Sequence, residues 1–225
     1  MVERVESGIR GLDEAIEGGF PTPSVILVTG EAGCGKTTFV MQSLFHGARK
    51  KEKGIYISGM SEPVFMIKKF MSTFGFYDEK LIENNTIQFW DFGSILSSEF
   101  AERSLAELNK IVADKKPQRV VIDPLPLGYT FPSALAYRKY LFNIFNTLKK
   151  MNIFTLVVGE KHLKEVEEVV DYMADGIINL SFQPIDNPLK YKNLIHVRKM
   201  RGTNHAKDIM SMEISRNGIT VFKIE

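Results

Sequence analysis

The chain has 225 residues, of which 44% are hydrophobic and 25% charged, with a formal net charge of +2. This is enough apolar material for a sizeable core without a metal or disulfide staple, and the near-balance of charge excludes a strongly basic nucleic-acid binder while allowing a local patch. The lone cysteine, Cys34, has no internal disulfide partner, and neither an apolar leader nor a membrane-length apolar run is present. These features point to a reducing cytoplasm and away from a membrane. Lys and Glu are abundant while Gln and Cys are scarce, a composition that leans toward heat adaptation.

In chain order, the first clear element is an apolar strand over 24–29. It runs into Gly30-Glu31-Ala32-Gly33-Cys34-Gly35-Lys36-Thr37, which fits G-x-x-x-x-G-K-[ST], and a helix follows over 37–50. Each part of such a loop has a physical task. Glycines let the backbone approach phosphate, successive N–H groups converge on the anion, and the helix start adds its positive end. Lys36 is expected to reach the β- and γ-phosphates of ATP, and the Thr37 hydroxyl to ligate Mg²⁺. Gly30, Glu31, Ala32, Gly33, Cys34, Gly35, Lys36, Thr37 and Thr38 are the expected nucleotide-lining set. Cys34 reads as a small residue tolerated in the loop, or as a thiol whose pKa is lowered at a helix N-terminus, and alkylation there is expected to block nucleotide entry.

Strands follow over 54–58, 87–91, 119–123 and 154–160, separated by helical patterns over 63–74, 99–115 and 133–151, with a shorter charged helix over 163–173. The alternation points to parallel strands joined by crossover helices. The texture then changes. Short strands over 176–180, 193–199, 210–215 and 219–224 follow, and Asn217-Gly218 is a hairpin turn signal. The expected architecture is α/β, a mostly parallel central sheet flanked by helices with antiparallel strands at its C-terminal end, in one domain over 1–225. The strand Arg119-Val120-Val121-Ile122-Asp123 ends in a carboxylate, and beside the phosphate loop it is expected to deliver Asp123 toward Mg²⁺ and its waters. Two prolines, Pro124 and Pro126, stiffen the turn beyond it. Phe89, Trp90 and Phe92 have faces that stack on bases, but they lie on or beside a buried strand, so core packing is expected.

Several blocks resemble the KaiC-like branch of the RecA-family ATPases: SGIRGLDEAIEGGFPTPSVILVTGEAGCGKTTF over 7–39, the strand and acid at Asp123, VVGEKH over 157–162, and KMRGTNH over 199–205 followed by ITVFKIE. RadA-type recombinase paralogues share the same core. The resemblance covers almost the whole chain as one RecA-like domain, and implies a ring, commonly a hexamer, with ATP between neighbours. One subunit supplies the phosphate loop, and the next supplies cations in trans from the segment matching Lys199, Arg201 and His205. Such cations act on a γ-phosphate as an arginine finger does.

The chain departs from that family after its second strand, where the ring ATPases carry a glutamate pair that includes the base polarising the attacking water. In Gly59-Met60-Ser61-Glu62-Pro63, Met60 and Ser61 match the pair in one register, and Ser61 and Glu62 match it in the other. Glu62 is the candidate general base, or else an acid favoured beside a helix start. Glu160 and Lys161 match a position implied to sense nucleotide state, or form a solvated pair. Asp171-Tyr172 stands where the clock proteins carry a phosphorylated Ser-Thr pair, which argues against a clock-like autokinase. Three functions follow from these features: a ring ATPase in signalling or regulation, a DNA-binding recombinase paralogue, and an ATP-held scaffold with little turnover that recruits a protein partner. The acid-rich loop over 160–176 and the absence of a preceding DNA-binding domain weigh against the second.

Overall fold

The computed structural model describes residues 2–59, 62–92, 100–126, 130–160, 164–184 and 190–224, with side chains at 100, 160 and 164–168 left aside. In chain order the elements are β1 (Glu3–Val5), α1 (Leu12–Ala15), β2 (Phe20–Thr22), β3 (Val25–Gly30), α2 (Lys36–Arg49), β4 (Gly54–Ser58), α3 (Val64–Met71), α4 (Glu79–Glu83), β5 (Ile87–Asp91), α5 (Phe100–Lys115), β6 (Arg119–Asp123), α6 (Ala134–Lys150), β7 (Phe154–Glu160), α7 (Lys164–Met173), β8 (Gly176–Pro184), β9 (Tyr191–Met200), β10 (Met210–Ser215) and β11 (Gly218–Phe222). A nine-stranded sheet has the order β11-β10-β9-β8-β3-β7-β6-β4-β5, and β1 pairs with β2 in a separate ribbon. Neighbours from β8 to β5 run parallel, whereas β9, β10 and β11 join antiparallel. This is the α/β architecture expected from the alternation of apolar runs and helical patterns.

The differences are local. The last parallel strand runs to Pro184 and its partner begins at Tyr191, because the pairs Gln183↔Lys192 and Pro184↔Tyr191 continue the ladder beyond the apolar run. Helix α3 stops at Met71, where the Thr73 and Phe74 amides switch to the carbonyls three residues back. The ribbon β1–β2 and helices α1 and α4 were not expected, since three to five residues are too few to display a period.

Alternate strand residues face opposite sides of the sheet. Ile26, Val28, Tyr56 and Val121 join the core containing Phe39, Leu44 and Phe45 of α2. Val25, Leu27, Ile55, Ile57 and Ile122 join the core under α5 and α6, with Leu108, Leu141 and Phe145. Helix α2 buries ten of its fourteen residues, Gln42 and Ser43 among them. On β6, Arg119, Val121 and Asp123 share the face turned to α2.

Arg119 is wholly buried and saturates its guanidinium. Nε donates to Glu52 Oε2 at 2.8 Å and Nη2 to Glu52 Oε1 at 3.3 Å. Nη1 donates to Ser43 O and Oγ at 2.8 and 2.7 Å, and Nη2 also reaches Glu6 O at 3.1 Å. The group lies over the Phe154 ring. Residue 47 must be glycine for this approach, because a Cβ there would collide with Glu52 Oε2 and Arg119 Nε. Arg119→Ala is expected to destabilise the fold by about 3 kcal/mol or more, since it leaves Glu52 and Ser43 without their partner and opens a cavity. A guanidinium denaturation curve whose midpoint matches that of wild type would refute this.

Candidate functional site

The glycine-rich loop after Gly30 emerges at the C-terminal end of β3, between its parallel neighbours β7 and β8. The chain turns into α2 at Gly35, whose φ of 94° caps the helix in a conformation that suits glycine. A Cβ at Gly35 would also press on Ile214 Cδ1 of β10. Lys36 folds its ammonium over the loop, donating to Gly30 O at 2.9 Å and Glu31 O at 2.8 Å. Among the described residues it makes no ion pair, so its charge is held by carbonyl dipoles that phosphate oxygens can replace. Glu31, Ala32 and Gly33 are exposed at the loop tip, whereas Cys34 and Thr38 are buried.

Cys34 corrects one of the two readings of that thiol. Burial dominates over the nearby Lys36 charge and pushes the thiol above its ordinary pKa. At 1% exposure it is a packing residue, not an activated nucleophile.

Opposite the loop, the Thr37 hydroxyl donates to Asp123 Oδ2 at 2.8 Å. The same oxygen accepts from the Tyr56 hydroxyl at 2.9 Å. Pairing of β4 with β6 produces this convergence by aligning Ser58 with Asp123 and Tyr56 with Val121. Beyond Asp123 the peptide bond to Pro124 is cis, and Leu125 N donates to Val158 O at 2.8 Å. A cavity of about 390 Å³ opens here, lined by Lys36, Thr37, Tyr56, Glu62, Ile67, Asp123, Pro124 and Val158. A lysine, a hydroxyl and a buried carboxylate in one cavity suit a phosphate and a hard divalent cation. Glu62 is exposed, and its carbonyl accepts from Ser58 Oγ at 3.0 Å just before α3. Met60 and Ser61, the other candidates for the catalytic pair, lie outside the described residues, as do Lys161 and the Glu160 side chain.

The basic set lies elsewhere. Lys199 is beside Ile177 and Met200 beside Gly176. Gly176 is level with Ile26 at the start of β3, whereas Gly30 is level with Leu180. Lys199 and Arg201 therefore sit at the end of the parallel strands remote from the chain's own phosphate loop. Lys199 Nζ donates to Asp171 O at 2.8 Å and Ala174 O at 2.7 Å, covering the C-terminal carbonyls of α7, where cations are favoured. Arg201 donates to Asp175 Oδ1 and Tyr172 O, both at 3.0 Å, with its side chain 54% exposed. Burial and the Arg201 charge push Lys199 below its ordinary pKa. His205 is buried, with Nδ1 2.9 Å from Ala206 O and Nε2 3.1 Å from Lys207 Nζ.

Phe89, Trp90 and Phe92 belong to the core, as expected. Phe89 packs on the Tyr56 ring, while Trp90 and Phe92 join the cluster under α5. Tyr56 is the site residue that sequence reasoning missed. Its signal was a phenol in a short apolar strand, which needs a partner when buried. Among the described residues, no helix is long and apolar enough to cross a membrane.

A family model described as the KaiC ATPase matches residues 5–225. A UPF0273 protein of Thermotoga maritima is 33% identical, with 100% of this chain and 98% of that protein aligned. The circadian clock oscillator protein KaiC of Prochlorococcus marinus is 26% identical over 100% of this chain, which spans only 46% of that longer protein. The crystal structure of a KaiC-like protein from the hyperthermophilic archaeon Pyrococcus horikoshii superposes with a TM-score of 0.85 at 31% identity, covering 99% of this chain and 100% of that one.

The burial of Cys34 has a direct consequence. A thiol reagent at neutral pH is expected to label native protein slowly and guanidinium-unfolded protein rapidly. Equal rates in the two states would restore the activated-thiol reading.

Proposed function

We propose that this chain, which belongs to the KaiC family of ATPases, binds ATP with Mg²⁺ at the loop from Gly30 to Thr38 and hydrolyses it. In this reading the domain spans 1–225 and assembles into a ring, with nucleotide between neighbours, in a regulatory or signalling role. The observation that carries it is the 2.8 Å bond between Thr37 and Asp123 in a cavity that also holds Lys36 and Glu62. A lone, buried Cys34 accords with a cytoplasmic location.

Mg²⁺, held by Thr37 and Asp123, would supply positive charge against the phosphates. The chain's own groups do the rest. Lys36 exchanges the carbonyls of Gly30 and Glu31 for phosphate oxygens. Thr37, which donates to Asp123, would also offer its hydroxyl oxygen to the cation, and Asp123 would hold the cation through water. Glu62 takes the proton of the attacking water from the exposed side of the cavity.

The remote position of Lys199 and Arg201 supports a role on a neighbour's nucleotide, because neither reaches its own. Arg201 is the better finger, being more exposed. Lys199 and the buried His205 flank it, Lys199 on the α7 carbonyls and His205 against Ala206 O and Lys207. A second reading, an ATP-held scaffold with little turnover, is favoured by one observation. Among the described residues, no hydrogen bond orients the Glu62 carboxylate, and only its backbone carbonyl is tied, by Ser58 Oγ.

Phosphate release with ATP and Mg²⁺ separates the two readings. Lys36→Ala is expected to weaken ATP binding by about a hundredfold, as loss of a buried charge partner does. Glu62→Gln is expected to keep binding and lose turnover. A wild type that binds ATP but releases no more phosphate than Lys36→Ala would leave the scaffold. For the trans role, Lys36→Ala and Arg201→Ala subunits are each expected to be inactive. Mixing them is expected to recover turnover, because some interfaces then pair an intact loop with an intact finger. No recovery in mixed rings would exclude a finger at Arg201.

A further inference from the structure

We propose that Tyr56 is a positioning residue that fixes the Asp123 carboxylate for Mg²⁺ before the cation arrives. The inference rests on the nucleotide reading above and adds a residue to it. Tyr56 stands in a fully buried strand whose Ile55 and Ile57 pack on the opposite face of the sheet. A phenylalanine would fill the same space against Phe89, so the hydroxyl adds nothing to packing. What it adds is a 2.9 Å bond to Asp123 Oδ2, on the oxygen that also accepts from Thr37 at 2.8 Å.

Two hydroxyls thus hold one carboxylate oxygen from different elements, β4 and the start of α2. The Tyr56 side is the stiffer one. Its ring is fully buried, and its backbone lies between β5 and β6 in the sheet. Thr37 sits at the first turn of α2, on the loop that must rearrange around phosphate, and Tyr56 keeps Asp123 oriented while that happens. A preorganised carboxylate binds its cation without first losing rotamer freedom.

The test is a Mg²⁺ titration of the full chain, followed by the binding of a fluorescent ATP analogue. Tyr56→Phe is expected to raise the Mg²⁺ concentration for half-saturation about tenfold, the scale of one hydrogen bond to a charged group. Affinity for the analogue in chelator is expected to stay within about twofold of wild type. In an Asp123→Asn background, the same substitution is expected to produce no further shift, because its effect runs through that carboxylate. An unchanged half-saturation overturns the inference. So does an equal loss with and without Mg²⁺, which assigns Tyr56 to packing, or an undiminished shift beside Asp123→Asn. A wild type that binds the analogue with no Mg²⁺ dependence rejects the metal site itself, and this inference with it.

Discussion

A buried guanidinium sets the terms for the rest of the molecule. Arg119 opens β6 in the middle of the sheet, and no water reaches it to offset the loss of hydration. A charge in that position is tolerated only if every donor finds an acceptor. Glu52, Ser43 and the Glu6 carbonyl supply them. Ser43 lies midway along α2, Glu52 just beyond its end, and Glu6 in the N-terminal segment. Satisfying one arginine therefore fixes a helix, a connection and the approach of the first residues to the sheet.

The site inherits this arrangement. Arg119 and Asp123 are the two ends of the same face of one strand, and both are bonded to α2, one at Ser43 and the other at Thr37. Between them Gln42 reaches Gly8 O and Ile219 O from Nε2, and accepts from Ile219 N at Oε1. A helix that is nearly all buried, with a polar side chain answering each neighbouring segment, has little freedom to slide. Its first turn carries the phosphate loop, so the loop is held by contacts from both ends of the chain. This explains physically why recognisable blocks stand near each terminus and not only around the lysine.

The sheet also divides its charges. Lys36, Thr37 and Asp123 gather where the parallel strands end, and Lys199 and Arg201 gather where they begin, on the carbonyls of α7 and on Asp175. A single copy cannot bring the two sets together, because a strand's length separates them. The exposed aromatic Tyr172 borders the cationic end, where the Arg201 head takes its carbonyl.

The sequence by itself determined the order of the longer elements, the glycine-rich loop with Lys36 and Thr37, and the placing of Asp123 at the end of an apolar strand. Each of those is a local statement: a period, a motif or an acid at the end of an apolar run. The hairpin at Asn217-Gly218 was legible for the same reason, and β10 and β11 follow it. Tertiary structure alone decided what depends on register. Tyr56 faces Asp123, and not the opposite core, only because β4 lies beside β6 with Ser58 level with Asp123, and a shift of one residue would reverse its side. The burial of Cys34 depends on how closely the loop packs, and the distance of Lys199 and Arg201 from Lys36 depends on the antiparallel turn of β9 against β8. None of these is encoded in any single stretch, because each is a relation between segments that the chain brings together only on folding.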